Sequence, residues 1–153
     1  MASHEELRHF LYDTTQAGYG NPNTRSEKAS DGANIITYED GEWRMVDSFY
    51  GGHPYAGQEV VYHLSKAVWA MQYRGWVHDT EMKPSEVYGF LKKALVAAPA
   101  EHPYRGPREL QDGSLVYRNE WNGEIDGFAG QEVILDCDQE IYRALYFGGV
   151  VDQ

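Results

Sequence analysis

Ala56-Gly57-Gln58-Glu59-Val60 returns unchanged as Ala129-Gly130-Gln131-Glu132-Val133, with an aromatic residue, Tyr55 or Phe128, ahead of each copy. The offset is 73 (129 − 56), and it holds downstream: Val68 meets Ile141, Trp69 meets Tyr142, Tyr73 meets Tyr146 and Gly75 meets Gly148. Upstream it slips to 72, so that Trp43 meets Leu115, Met45 meets Tyr117, Phe49 meets Trp121 and Gly51 meets Gly123. Self-similarity of this kind marks one structural unit built twice. It bears on architecture and names no reaction.

Periodicity outlines each unit. Over 4–17, Leu7, Phe10, Leu11, Thr14 and Ala17 follow the spacing of one helical face, with Ser3 and Glu6 placed as a capping box and Gly18 as a stop. Residues 18–33 are polar and rich in Gly, Asn and Ser, and read as a long mobile connection. Strands are expected at 34–38, 43–50, 58–64 and 67–74, the second alternating Trp43, Met45, Asp47 and Phe49 on one face. A second helix at 85–98 lies between Pro84 and Pro99, with Val87, Phe90, Leu91, Ala94, Leu95 and Ala98 as its stripe. His102-Pro103-Tyr104-Arg105-Gly106-Pro107 leads to four more strands near 108–111, 115–122, 130–136 and 140–147. Asp40-Gly41 and Asp112-Gly113 are matched hairpin signals.

The expected fold is therefore α+β, an internally duplicated helix-plus-four-stranded antiparallel meander. Its repeats span about 4–79 and 85–151 of a single domain, 1–153, and pack as two units with pseudo-twofold symmetry. The connections are too short for parallel crossovers, so the order is antiparallel. Pattern alone leaves one curved sheet and two packed sheets both open.

Bulk composition removes whole classes of partner. The net charge is −11, from 24 acidic against 13 basic residues, and no window clusters Lys or Arg. Phosphate backbones and anionic membranes are held by such clusters, so neither nucleic acid nor membrane is expected, whereas a cationic ligand suits the charge. Cys137 is the lone cysteine and aligns with Leu64, which predicts a small buried hydrophobe and no disulfide or zinc cluster. Met1-Ala2-Ser3-His4-Glu5-Glu6 lacks a basic and apolar leader, and no stretch has the roughly 20 apolar residues of a membrane span. A cytoplasmic protein is the expectation.

Candidate chemistry rests on polar residues at matched positions. Glu59 and Glu132 are paired carboxylates if symmetry brings them together, with strand-edge acids as the plainer alternative. Gly57 and Gly130 beside them signal a bulge or a close backbone approach. Asp47 lies between Met45 and Phe49 on an apolar face, where Asn119 stands between Tyr117 and Trp121. A carboxylate there is either satisfied structurally or anchors a positive ligand, with Trp43, Phe49 and Tyr73 supplying cation–π contact. The six histidines lack zinc spacing, Gly18-Tyr19-Gly20 is no phosphate loop, and neither cofactor nor metal is expected.

The stretches Gly51-Gly52-His53-Pro54-Tyr55-Ala56-Gly57-Gln58-Glu59, Trp69-Ala70-Met71-Gln72-Tyr73-Arg74-Gly75 and Pro103-Tyr104-Arg105-Gly106-Pro107 carry a likeness. With them the chain resembles, from Phe10 to Val150, a family of uncharacterised bacterial domains found alone or C-terminal to Xre-type helix-turn-helix regulators. Gln58 and Gln72 depart from the family's Glu and Asn. The resemblance implies a sensing or ligand-binding module, here a stand-alone one, and carries over no catalytic residue.

Three functions follow. The leading one is a small-molecule-binding, sensor-like domain with an aromatic, acidic pocket for a cationic, apolar molecule. Its lining candidates are Trp43, Asp47, Phe49, Glu59, Trp69, Tyr73, Trp121, Glu132 and Tyr146. The second is a hydrolase or isomerase using Glu59 and Glu132, approximately 5–10 Å apart if its logic is that of glycosidases. The third is a structural or protein-interaction module, a homodimer joined through Leu145 and Phe147, which replace Gln72 and Arg74 of the first repeat.

Overall fold

The computed structural model describes residues 2–18 and 20–152; Tyr19, in the Gly18-Tyr19-Gly20 stretch, lies outside them. Helix α1 spans His4–Gln16 and starts on the expected box. The Glu6 amide donates to Ser3 Oγ at 3.1 Å, and Glu6 Oε2 accepts from the Ser3 amide at 2.8 Å. These two bonds satisfy amides that the first turn leaves without intrahelical partners. Helix α2 spans Pro84–Val96, with the proline in its first turn, where its missing N–H costs nothing.

The strands are β1 Thr24–Lys28, β2 Asn34–Asp40, β3 Trp43–Gly51, β4 Tyr55–His63, β5 Lys66–Val77, β6 Glu109–Asp112, β7 Leu115–Glu124, β8 Gly127–Asp136 and β9 Gln139–Val150. They form one antiparallel sheet in the order β1-β2-β3-β4-β5-β9-β8-β7-β6. This corrects the expected architecture of two separate helix-plus-meander units packed on each other. β5 and β9 pair directly over nine residue pairs, from Trp69↔Val150 to Val77↔Tyr142. Two separate meanders would leave each of these long strands with an open row of amides and carbonyls; joining them satisfies both rows.

The apolar face of the sheet is covered by helices, not by a second sheet. Leu7, Phe10 and Leu11 of α1 pack with Tyr38, Met45, Trp69 and Met71. Val87, Phe90, Leu91 and Ala94 of α2 pack with Tyr117, Ile134, Ile141 and Tyr142. On the uncovered face Leu145 and Phe147 are 48% and 58% exposed.

Two further expectations are corrected. The supposed mobile connection contains β1, which pairs with β2 from Thr24↔Tyr38 to Lys28↔Asn34. Cys137 is exposed, because it occupies the β8–β9 turn at φ +47 with Asp138 at +66. Leu64 and Ser65 take the same left-handed pair of conformations, +50 and +67, in the β4–β5 turn. The β2–β3 and β6–β7 turns begin with Gly41 and Gly113, at φ +59 and +61, which glycine adopts without steric cost. Register shifts also fall at matching places, Val61/Tyr62 in β4 and Ile134/Leu135 in β8.

Candidate functional site

Cross-strand register sets the site. On the helix-covered face, Phe49, Gly57, Tyr73, Tyr146, Gly130 and Trp121 lie side by side across β3, β4, β5, β9, β8 and β7. The two glycines leave room for the tyrosines. A Cβ on Gly57 would stand 2.5 Å from the Tyr73 hydroxyl, and one on Gly130 would stand 2.4 Å from that of Tyr146. Each hydroxyl thereby reaches two strands over. Tyr73 donates to Asp47 Oδ1 at 2.5 Å, and Tyr146 donates to Asn119 Oδ1 at 2.7 Å.

Neighbouring ladder pairs place Asp47 against Glu59 and Asn119 against Glu132. The surroundings of the two pairs diverge because residues 99–108 fold back over the β7–β9 half. His102 stacks on Trp121 at 3.9 Å, and Tyr104 stacks on Phe128 at 4.3 Å. The Gly106 amide donates to the Tyr117 hydroxyl at 3.0 Å, and Asn119 Nδ2 donates to the Gly106 carbonyl at 2.9 Å. Arg105 enters between them and gives both Nε and an Nη nitrogen to Glu132. Tyr117 and Tyr142 donate to the same carboxylate at 2.5 and 3.0 Å. Glu132 is fully buried and ringed by these donors.

Among the described residues nothing equivalent fills the β2–β5 half. A cavity of about 510 Å³ remains there, between the strands, the end of α1, helix α2 and residues 103–105. Its floor holds Asp47, Glu59, Tyr55, Tyr73 and Arg105; its walls include Ile36, Met45, Phe49, Leu91 and Leu95. Burial pushes the Glu59 carboxyl up to about 8, the Asp47 charge adds to this, and Arg105 opposes it. Burial also raises Asp47, against the hydrogen bond from Tyr73 and the charge of Arg105. The Arg105 guanidinium is held firmly charged by Glu132 despite its own burial. The hydrogen bonds of Arg105 go to Glu132, so its charge acts on the two floor carboxyls only from a distance.

The expected lining residues divide. Asp47, Phe49, Glu59 and Tyr73 border the cavity. Trp43 stacks on Phe10 at 5.3 Å instead, and Trp69 is buried in the core against Tyr104 and Phe128. Trp121 is covered by His102 and by the Arg108 guanidinium at 3.8 Å. Burial pushes His102 itself down to about 4, helped by the charges of Arg108 and Arg8, so the ring that covers Trp121 is a neutral one. Tyr146 is buried on Asn119. Glu59 and Glu132 do not meet: β5 and β9 separate their strands, and Glu132 is taken up by Arg105. Sequence reasoning missed Arg105, Tyr55 and the α2 residues. One signal was present for Arg105, a lone cation inside a stretch of Pro, Gly and aromatic residues.

The fold and its floor define a class: an antiparallel protein, with two helices and nine strands among the described residues, that encloses a cavity with paired acids at its base. Residues 47–151, more than two thirds of the chain, match the family model described as a domain of unknown function, DUF5680, and the chain belongs to that family. The matched span contains Asp47, Glu59, Tyr73, Arg105 and Glu132, and begins after α1, β1 and β2. Neither the curated proteins nor the solved structures offer a match. Among the described residues no helix is long and apolar enough to cross a membrane, and no group of three or more His, Cys, Asp and Glu side chains could hold a metal ion.

Proposed function

We propose that the chain is a small-molecule-binding, sensor-like module, acting in the cytoplasm, whose cavity takes an organic cation with an apolar body. One observation carries the reading: the Asp47–Glu59 pair faces an apolar-walled cavity while the nearby cation, Arg105, is already committed to Glu132. A buried carboxylate without a partner costs several kcal/mol, and a ligand cation removes that cost. Kinship with domains attached to Xre-type regulators, which the sequence likeness suggests, fits a sensing role.

Thermal-shift titration with hydrophobic amines that stay protonated to about pH 9 tests this. A ligand at a hundredfold excess over its Kd stabilises by about 2.7 kcal/mol. Binding must also follow pH. Glu59 faces Asp47 from β3, Tyr73 from β5, Tyr55 on its own strand, Arg105 from the 99–108 segment, and Tyr88 and Lys92 across the cavity from α2. Cation entry requires Glu59 to ionise, so affinity rises about tenfold per pH unit up to about 8 and then levels. Affinity that is flat across this range, or unchanged in Glu59→Gln, counts against the reading.

Acid–base catalysis is a second reading, favoured by one feature. Burial raises both carboxyls, Glu59 to about 8, and Asp47 alone has the Tyr73 hydrogen bond against that rise, an asymmetry that suits an acid and a base. Its pair is Asp47 and Glu59, because Glu132 lies outside the cavity. Hydrolysis or isomerisation lost in both Asp47→Asn and Glu59→Gln would put it ahead.

A further inference from the structure

The carboxylates of the cavity stand together. Asp47 and Glu59 are the acids among its lining residues, and they stand opposite each other on β3 and β4. Tyr73 fills one oxygen of Asp47. No described residue donates a hydrogen bond to Glu59 or to Asp47 Oδ2, and both side chains keep accessible surface that opens on the cavity. Three carboxylate oxygens therefore lack a donor. The α2 side carries no acid: Leu91, Leu95 and Val96 are apolar, beside Tyr88 and Lys92, and Thr14, Thr15 and Thr24 line the α1 and β1 side.

We propose, building on the reading of this cavity as a cation site, that its ligand is an amphipathic monoamine. A primary or secondary ammonium bridges Asp47 and Glu59 through its N–H groups, and an apolar tail runs past Phe49 and Met45 beneath Leu91 and Leu95.

Each part has its own reason. Unfilled acceptors that a ligand covers call for directional donors, because each one left unsatisfied loses its water without a replacement. A quaternary ammonium brings no donor, so it would desolvate the three oxygens without bonding them. It would instead need several open ring faces, whereas the Tyr73 hydroxyl is tied to Asp47 and its ring faces the Arg105 guanidinium at 5.7 Å. A diamine long enough to carry its second charge away from Asp47 and Glu59 would find no further acid among the lining residues to receive it. The volume, about 510 Å³, is in the range of pockets that enclose most of a small organic ligand.

Calorimetric titration of the full chain near pH 9 tests the assignment, using hexylamine, N,N,N-trimethylhexylammonium, hexamethylenediamine and hexanol as probes. Hexylamine is expected to bind on the order of tenfold or more tighter than each of the others, and to weaken by a similar factor in Asp47→Asn and in Glu59→Gln. Equal binding of the trimethyl compound or of the diamine overturns the monoamine assignment and leaves the cation reading standing. Equal binding of hexanol, absence of hexylamine binding, or unchanged binding in both variants overturns the two together. Circular dichroism of each variant confirms that the fold tested is intact.

Discussion

Glu59 is partly buried on the cavity and has no hydrogen-bond partner among the described residues, so its proton does the work a partner would do. The consequence for stability has a definite sign. Its folded pKa, about 8, lies above the ordinary carboxylate value of 4.5. Between these two the folded chain keeps a proton that the unfolded chain has released, so this contribution is fully present below 4.5 and is lost as pH rises through 8. Glu59→Gln, which keeps the shape and removes the charge, is expected to flatten that decline. Near pH 8.5 it should exceed the parent by on the order of a few kcal/mol. Urea denaturation at about pH 5 and 8.5 measures it, and parallel loss in both proteins would show that the Glu59 proton is not what holds the site. Glu132 sits in an identical pentapeptide and meets the opposite environment, because Arg105 reaches it and leaves Glu59 alone. Local sequence cannot distinguish the two.

The elements are bound to the site through glycine. A Cβ on Gly57 would meet the Tyr73 hydroxyl at 2.5 Å, the Ser48 carbonyl oxygen at 2.6 Å and Phe49 Cβ at 2.7 Å. The carbonyl belongs to the paired strand β3 and cannot swing aside as a side-chain tip can. Gly57→Ala should therefore cost about 1–3 kcal/mol and displace Tyr73 from Asp47, weakening amine binding as well. Gly89→Ala is the control: it lies in α2 with nothing within 4 Å of the added Cβ, and should raise stability by up to about 1 kcal/mol. Chemical denaturation of both variants checks the pair; a neutral Gly57→Ala would remove the packing account of the repeated glycine. At this scale much was readable. The Ser3–Glu6 box, the two proline-bounded ends of α2 and the glycine turns are local signals with local causes. β1 was not readable, because Thr-Arg-Ser-Glu-Lys is polar on both faces and gains its extended form from pairing with β2. Such a charged, short strand is also what protects an open sheet edge.

For the molecule as a whole, the 99–108 segment decides which half of the sheet is filled and which stays open. Its anchor is the buried Arg105–Glu132 pair, with 8% and 0% of the side chains exposed. Removing one member of a buried pair strands the other charge. Arg105→Met is expected to destabilise by about 3–5 kcal/mol, and the double variant Arg105→Met/Glu132→Gln to recover a large part of that loss. A double-mutant cycle by urea denaturation reads the coupling; additive effects would mean that the segment is held by His102, Tyr104 and Gly106 alone.

Strand positions, turns, helix ends and the antiparallel order follow from alternation, capping and glycine placement, each settled within a few residues of chain, and these were legible before any coordinates. The acids that border the cavity were legible as candidates, since a carboxylate on an apolar face requires an explanation wherever it occurs. Three features lay beyond that reach: the edge-to-edge union of β5 with β9, the addition of β1, and the descent of Arg105 onto Glu132 rather than Glu59. Each depends on groups far apart in the chain finding backbone or charge partners, and that choice is made by what the folded neighbours leave unsatisfied.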